Sequence, residues 1–337
     1  MGRRKKDELE DIVLPENTPE TTKTLELEDL EGVGKTRAER MRADGIESPF
    51  DVYLRGVQEI KSITGMEEAQ ALKIYDSARE FLLANKLIKP SMCKASELLA
   101  YTKERFYVST GVKAIDEALG GGVESEAITE IYGEFSAGKT QFALTCLVNA
   151  CALGHGCVFV DCEGTFDHGR VKEIATARGF DAEHILDNVT MANGFDTITI
   201  DRIINSIPKL IREENVKFVV IDGATGKYRS EFLGRGTLEG RQQDIKHILL
   251  HLGKIAEVYN IIILFTNQVL ADPGQMFGDP TKAIGGHSVA HNTKFRLYFK
   301  KASTTKPLRV CKIVDSAKHA MQDIPFQLGA KGVEDTE

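Results

Sequence analysis

The 337-residue chain has no apolar run of 18 or more residues, which excludes a membrane-spanning helix. Its basic start, Met1 to Lys6, is followed by no apolar stretch of the kind a secretory signal needs, so no such signal is expected. The six cysteines show no C-x-x-C spacing. Cys146 and Cys151 fall in an apolar helical stretch, and Cys157 and Cys162 flank a strand; all of this reads as buried, reduced thiols in a cytoplasmic protein. An excess of positive charge is missing too: 43 Lys and Arg against 50 Asp and Glu leave a formal charge of −7. A nucleic-acid surface must therefore be local rather than global. What remains, 42% hydrophobic and 28% charged residues, is ordinary for a globular chain with room for about two domains.

One stretch organises the rest. Gly133-Glu134-Phe135-Ser136-Ala137-Gly138-Lys139-Thr140 fits the phosphate-binding loop G-x-x-x-x-G-K-[ST], with Gln141 next in line. Such a loop must curl so that successive backbone N–H groups point at a phosphate, and Gly133 and Gly138 permit the curl. Lys139 supplies a point charge to the β- and γ-phosphates of ATP, and the Thr140 hydroxyl can hold Mg²⁺. The β-rich run Ala127 to Tyr132 before the loop and the apolar run Gln141 to Ala152 after it read as strand and helix, the setting the motif requires.

Three further apolar runs end in polar groups. They are Cys157 to Asp161, followed by Cys162-Glu163-Gly164-Thr165; Phe218 to Asp222; and Ile261 to Leu264, leading into Phe265-Thr266-Asn267-Gln268. Alternation of such strands with helical stretches predicts an α/β core with a mostly parallel sheet over residues 107–337. Ligands of such sheets bind beyond the carboxyl ends of the strands, where the phosphate loop also opens. Asp222 fits a Walker B aspartate that holds Mg²⁺ together with Thr140. Glu163 is the candidate base that orients a water at the γ-phosphate; a structural or helix-capping acid is the alternative. Gln268 is an uncharged group at a neighbouring strand end that can sense the γ-phosphate.

Elsewhere the chain divides by composition. Residues 1–26 are polar, with six acids and no base between Asp7 and Glu20, and read as a disordered acidic tail. Residues 27–85 carry two helix–glycine turn–helix patterns, around Gly32 to Gly34 and around Gly65. They read as helix-hairpin-helix units whose turn N–H groups, with Lys35 and Arg37, suit contact with a DNA backbone; a plain packing module is the alternative. Residues 86–106 read as a linker with a short helix. Two segments, Tyr228 to Leu238 and Leu270 to about Ser288, lack apolar periodicity and read as loops able to gather around a phosphate chain.

Together the phosphate loop, Val160-Asp161-Cys162-Glu163-Gly164-Thr165-Phe166, Gly234-Arg235-Gly236-Thr237-Leu238, Arg241-Gln242-Gln243, Thr266-Asn267-Gln268-Val269, Met276-Phe277-Gly278-Asp279-Pro280 and Ile284-Gly285-Gly286-His287 resemble the RadA family of archaeal strand-exchange recombinases. The resemblance spans about residues 27–330. It implies a RecA-like core with a small all-α DNA-binding domain before it, and a DNA-dependent ATPase. It further implies helical filaments or rings of self-associated subunits on single-stranded DNA that pair it with duplex DNA in recombinational repair. Arg229, Arg235 and Arg241 match the first DNA-binding loop; residues 270–287, with Phe277, Gly285 and Gly286, match the second. Arg170 matches an arginine near the adenine, and Asp315-Ser316 a segment that caps ATP from the neighbouring subunit.

Some positions depart from the family. Met92 stands where a phenylalanine usually plugs the next subunit, three residues before Ala95, and it keeps the apolar character of a plug. Ala317 stands where proline is frequent, Gly223 where serine is common, and Asp272 adds negative charge to the second loop. A paralogue that binds ATP and DNA as a mediator without driving exchange is the alternative reading. A clock-type signalling ATPase with the same core is a third, disfavoured by the amino-terminal DNA module.

Overall fold

The computed structural model describes residues 26–101, 104–231, 238–271, 281–284, 289–302, 307–316 and 320–336. Residues 1–25 of the acidic tail, Arg235, Asp272, Phe277, Gly285, Gly286 and Ala317 lie outside the described residues. The chain separates into two compact units, Met1–Tyr53 with Val57–Phe81 and Leu54–Gly56 with Leu82–Glu337.

The first unit is helical. A 3₁₀ turn at Leu27–Asp29 leads through Gly32 and Gly34 into α1 (Lys35–Ala43). Helix α2 (Pro49–Thr64) starts on Ser48, whose hydroxyl accepts from the Asp51 N–H, with proline at the first turn. It breaks at Gly56 and stops at Gly65, which is left-handed (φ 67°). Helix α3 (Glu68–Ala84) follows. Leu27, Met41, Ile46, Val52, Ile60 and Ile74 close a small core of their own.

The second unit opens with the short helix α4 (Ala95–Leu98). Strands β1 (Tyr107–Val108) and β2 (Val123–Glu124) pair antiparallel, with α5 (Lys113–Leu119) between them in sequence. Strand and helix then alternate: β3 (Ala127–Gly133), α6 (Lys139–Ala152), β4 (Gly156–Asp161), α7 (His168–Arg178), α8 (Ala182–Asp187), β5 (Val189–Asn193), α9 (Thr197–Glu214), β6 (Val216–Asp222), α10 (Ala224–Glu231), α11 (Leu238–Tyr259) and β7 (Ile262–Ala271). Strands β8 (Thr281–Ala283), β9 (Phe295–Lys301), β10 (Leu308–Ser316), β11 (Asp323–Gly329) and β12 (Gly332–Glu334) complete the sheet.

Its order is β12-β11-β10-β9-β3-β7-β6-β4-β5, with β8 hydrogen-bonded to β7. The stretch from β9 to β5 is parallel throughout, and β10 to β12 extend it antiparallel. Every residue of β3 and β4 is buried, as expected for parallel strands covered on both faces. Residues 142–151 of α6 are buried as well, so this helix is part of the core rather than a surface layer.

Two segments read as loops prove more regular. Tyr228 to Glu231 is the last turn of α10, because Tyr228 is a core residue whose hydroxyl donates to Asp201 at 3.0 Å. Leu270 and Ala271 prolong β7, where Lys282 and Thr281 of β8 pair back onto them. The arginine- and glycine-rich composition concealed both, since a helix end anchored by one side chain and a three-residue strand carry no periodicity. Five cysteines are buried, Cys93 is half-buried, and all six are free thiols.

Candidate active site

Strand register alone gathers the polar strand ends. Gly133 lies opposite Gln268, Thr266 opposite Asp222, and Asp222 opposite Asp161. Since these strands are parallel, the four strand ends share one edge, and the phosphate loop leaves β3 at that edge.

The loop is shaped by its glycines. A Cβ at Gly133 would collide with the Phe299 carbonyl of the adjacent β9, and Gly138 holds φ +100° where α6 begins. Between them Glu134 and Phe135 are exposed, Ser136 is left-handed, and Ala137 is buried. Lys139 Nζ donates to the carbonyls of Gly133 and Glu134, both at 2.9 Å, which uses two of its three protons. Burial pulls the Lys139 pKa down, and Glu163 and Asp222 push it back up.

Asp222 is the hub on β6. One carboxylate oxygen accepts from Thr140 Oγ1 at 3.0 Å and Thr165 Oγ1 at 2.9 Å; the other accepts from Thr266 Oγ1. The side chain is buried with these three hydroxyls on it. Hard oxygen donors of this kind, one hydroxyl and one carboxylate beside a phosphate loop, fit Mg²⁺ held partly by the nucleotide. Among the described residues no group of three or more His, Cys, Asp or Glu forms an all-protein metal cage.

Glu163 is carried on a loop built by Asp161. Asp161 Oδ1 accepts from the N–H groups of Glu163 (3.0 Å), Gly164 (2.7 Å) and Thr165 (3.1 Å), and Oδ2 from Phe166 (2.9 Å). The exposed Glu163 carboxylate accepts from Gln268 Nε2 at 2.7 Å. The structure thus brings together Lys139, Thr140, Asp222, Glu163 and Gln268. Sequence reasoning missed the supporting roles of Asp161, Thr165 and Thr266, although each lies within a motif that drew attention for another residue.

Gln141 and Arg170 are joined farther along. Arg170 Nε donates to Gln141 Oε1 at 2.8 Å, Nη2 to the Gly329 carbonyl at 2.5 Å, and Nη1 to Glu173 at 3.0 Å. Asp315 is exposed on β10 opposite Arg296, away from these contacts. Arg229 is exposed on α10, and Arg241 falls within α11. Met92 is 92% exposed, and Ala95 opens α4, also exposed.

In the helical unit both glycine turns line one cavity of about 580 Å³. Gly32, Gly34, Lys35 and Arg37 come from the first turn, and Thr64, Gly65 and Met66 from the second. Arg37 is tied to the Gly32 carbonyl at 2.6 Å, whereas Lys35 and Arg40 are exposed. Arg40, one turn beyond the residues singled out from sequence, joins that lining.

Residues 24–80 match the SAM-like helix-hairpin-helix tandem, and residues 102–336 match the Rad51 family model. The chain is 40% identical over 319 residues to a DNA repair and recombination protein RadA of Cenarchaeum symbiosum, covering 93% of this chain and 80% of that protein. It is 33% identical over 318 residues to the protein of the same name from Aeropyrum pernix, covering 93% and 97%. With a family model across most of its length and two such relatives, this chain belongs to the Rad51 family and is of the archaeal RadA type.

Proposed function

We propose that the chain is an ATP-driven DNA strand-exchange protein that assembles as a helical filament on single-stranded DNA and acts in recombinational repair. The observation that carries this reading is the gathering of Lys139, Thr140, Asp222, Glu163 and Gln268 at one edge of the sheet, toward which β6 and β7, the strands that precede the two candidate DNA segments in sequence, both run.

ATP is the substrate. Residues Gly133 to Gln141 cradle its phosphates, Lys139 turns its remaining proton to them, and Thr140 with Asp222 holds Mg²⁺. The ion, when bound, neutralises charge on the β- and γ-phosphate oxygens. Glu163 orients the attacking water. Its hydrogen bond to Gln268 keeps the two residues in reach of one another, so a γ-phosphate that draws the Gln268 amide also releases the Glu163 carboxylate. Arg170, with Gln141, borders the base, and Asp315 reaches the nucleotide of a neighbouring subunit.

DNA is held by Arg229, Arg235 and Arg241 from the first segment and by Phe277, Gly285 and Gly286 from the second. Lys35 and Arg37 of the helical unit contact duplex backbone. Self-association uses Met92 and Ala95 of one copy against the terminal strand β5 of the next. That strand ends the sheet, and Met191, Phe195 and Ile198 are exposed on or beside it.

The test is ATP hydrolysis with and without single-stranded DNA, with electron microscopy of the same samples. Stimulated turnover with helical filaments is expected, both lost in Lys139→Ala. Nucleotide binding with neither stimulation nor filaments would favour a mediator instead.

A further inference from the structure

One buried polar group is used by nothing so far. Asn267 precedes Gln268 in β7 and is fully buried. Its amide has two protons and two acceptor positions, and all four are taken. Nδ2 donates to Glu130 Oε1 at 2.8 Å and to the Ile284 carbonyl at 2.7 Å. Oδ1 accepts from Thr225 Oγ1 at 2.6 Å and from the Gln268 N–H at 2.9 Å.

The partners are informative. Thr225 is the second residue of α10, whose far end leads into residues 232–237. Ile284 ends the hairpin whose strands, β7 and β8, flank residues 272–280; its N–H also donates to the Gln268 carbonyl at 3.0 Å. Glu130 lies in β3, three residues before the phosphate loop. Its other oxygen accepts from Arg296 Nε at 2.6 Å, and that guanidinium stacks 5.0 Å over the Tyr132 ring. Because both Glu130 oxygens face donors, the carboxylate fixes which end of the Asn267 amide faces which partner. A fully satisfied buried network of this sort admits one arrangement, and a shift in any member is felt by the rest.

We propose that Asn267 is the positioning residue that couples the nucleotide end of the site to both DNA segments. Through its side chain the Gln268 backbone, the first turn of the helix that leads to the first segment, and the root of the second segment move as one piece. This rests on the recombinase reading, in which Gln268 meets the γ-phosphate and those segments meet DNA.

The experiment measures ATP turnover with and without single-stranded DNA, alongside thermal unfolding, for three variants. Asn267→Asp keeps the shape, removes both donors and sets a second carboxylate against Glu130. It should lose at least about tenfold of the DNA stimulation while unstimulated kcat stays within about threefold. Asn267→Asp with Glu130→Gln restores a donor–acceptor pair between β7 and β3 but leaves the Ile284 carbonyl without its donor. This pair should recover part of the melting temperature lost in the single variant and none of the stimulation, a split that a purely structural role does not produce.

Recovery of both together, or full stimulation in the single variant, overturns the proposal and leaves the recombinase reading standing. Absence of stimulation in the unaltered protein overturns that reading and the proposal with it. Should Asn267→Asp fail to fold, Thr225→Val, which removes only the α10 hydroxyl, decides in its place: reduced stimulation supports the coupling, and unchanged stimulation overturns it.

Discussion

Gly223 lies directly against Glu163: a Cβ at position 223 would fall inside the van der Waals envelope of the Glu163 side chain. Gly223 also follows Asp222 with φ +80° and donates its N–H to Thr266 Oγ1 at 3.0 Å. The glycine therefore does two things. It allows the left-handed turn after β6, and it leaves room for the carboxylate proposed to orient water. In Gly223→Ala the Glu163 side chain must swing away, because the backbone beneath is held by the sheet. We expect kcat to fall about tenfold to a hundredfold with a much smaller change in KM for ATP, the signature of a misplaced group. The left-handed alanine should cost about 1–2 kcal/mol of stability. Unchanged kcat in a folded variant would show that Glu163 does not need this position.

How far such features can be read in advance depends on how local they are. The phosphate loop is eight consecutive residues, and Asp222 is marked by the apolar run before it, so both were legible from pattern alone. The Rad51-type core and helix-hairpin-helix unit were legible as a combination of motifs. Gly223 drew notice only as a departure from a serine, with no hint that Glu163 sits over it, since 60 residues separate them in the sequence. Asn267 and Glu130 are farther apart still, and a buried asparagine beside a conspicuous glutamine carries no periodic signal. The last turn of α10 was hidden because its anchor, Tyr228 on Asp201, is a tertiary contact.

Asp161 should matter as much as the residue it supports. Four backbone N–H groups converge on its carboxylate. In Asp161→Asn one oxygen becomes an NH₂ that opposes the N–H groups instead of accepting them. At about 1–3 kcal/mol for a buried donor left unpaired, the loop should loosen and stability should fall by roughly that amount. Because the same loop carries Glu163, kcat should fall too, while nucleotide affinity, set by the loop after β3, should hold. Steady-state kinetics beside denaturant unfolding checks this; a loss of stability with unchanged kcat would confine Asp161 to a structural role.

A histidine away from the site should give the fold an acid-sensitive component. Burial pushes the His251 imidazole on α11 down to about 4 from 6.5, with smaller contributions from His247, Lys254 and Arg55 opposed by a hydrogen bond with the Leu54 backbone, and its Nε2 has no partner among the described residues. Since the folded pKa lies below the unfolded one, the unfolded chain binds the extra proton between pH 6.5 and about 4. The contribution is thus intact above pH 6.5 and is lost as pH falls toward 4. With about 1.4 kcal/mol per unit, its ceiling is about 3 kcal/mol. His251→Leu should flatten that part of the stability curve relative to the unaltered protein. Parallel curves for the two proteins from pH 7 to 4 would reject it.

Met92 projects almost wholly into solvent, and the neighbouring Leu99 is 76% exposed, so this linker presents apolar side chains that its own fold does not cover. Among the described residues β5 is the terminal strand of the sheet, with Met191 39%, Phe195 72% and Ile198 63% exposed on or beside it. An apolar side chain docked there from another copy would bury surface on both partners, and full burial of a methionine is worth about 1.5–3 kcal/mol. Met92→Ala should therefore weaken self-association by roughly tenfold or more at each interface, compounding along a filament. A charge on the receiving side, Phe195→Asp, should act in the same direction, because it places a carboxylate where the apolar plug would sit. Light scattering across a concentration series, read beside ATP binding, separates assembly from folding. Oligomers of unchanged size in both variants would mean that subunits join through a different surface.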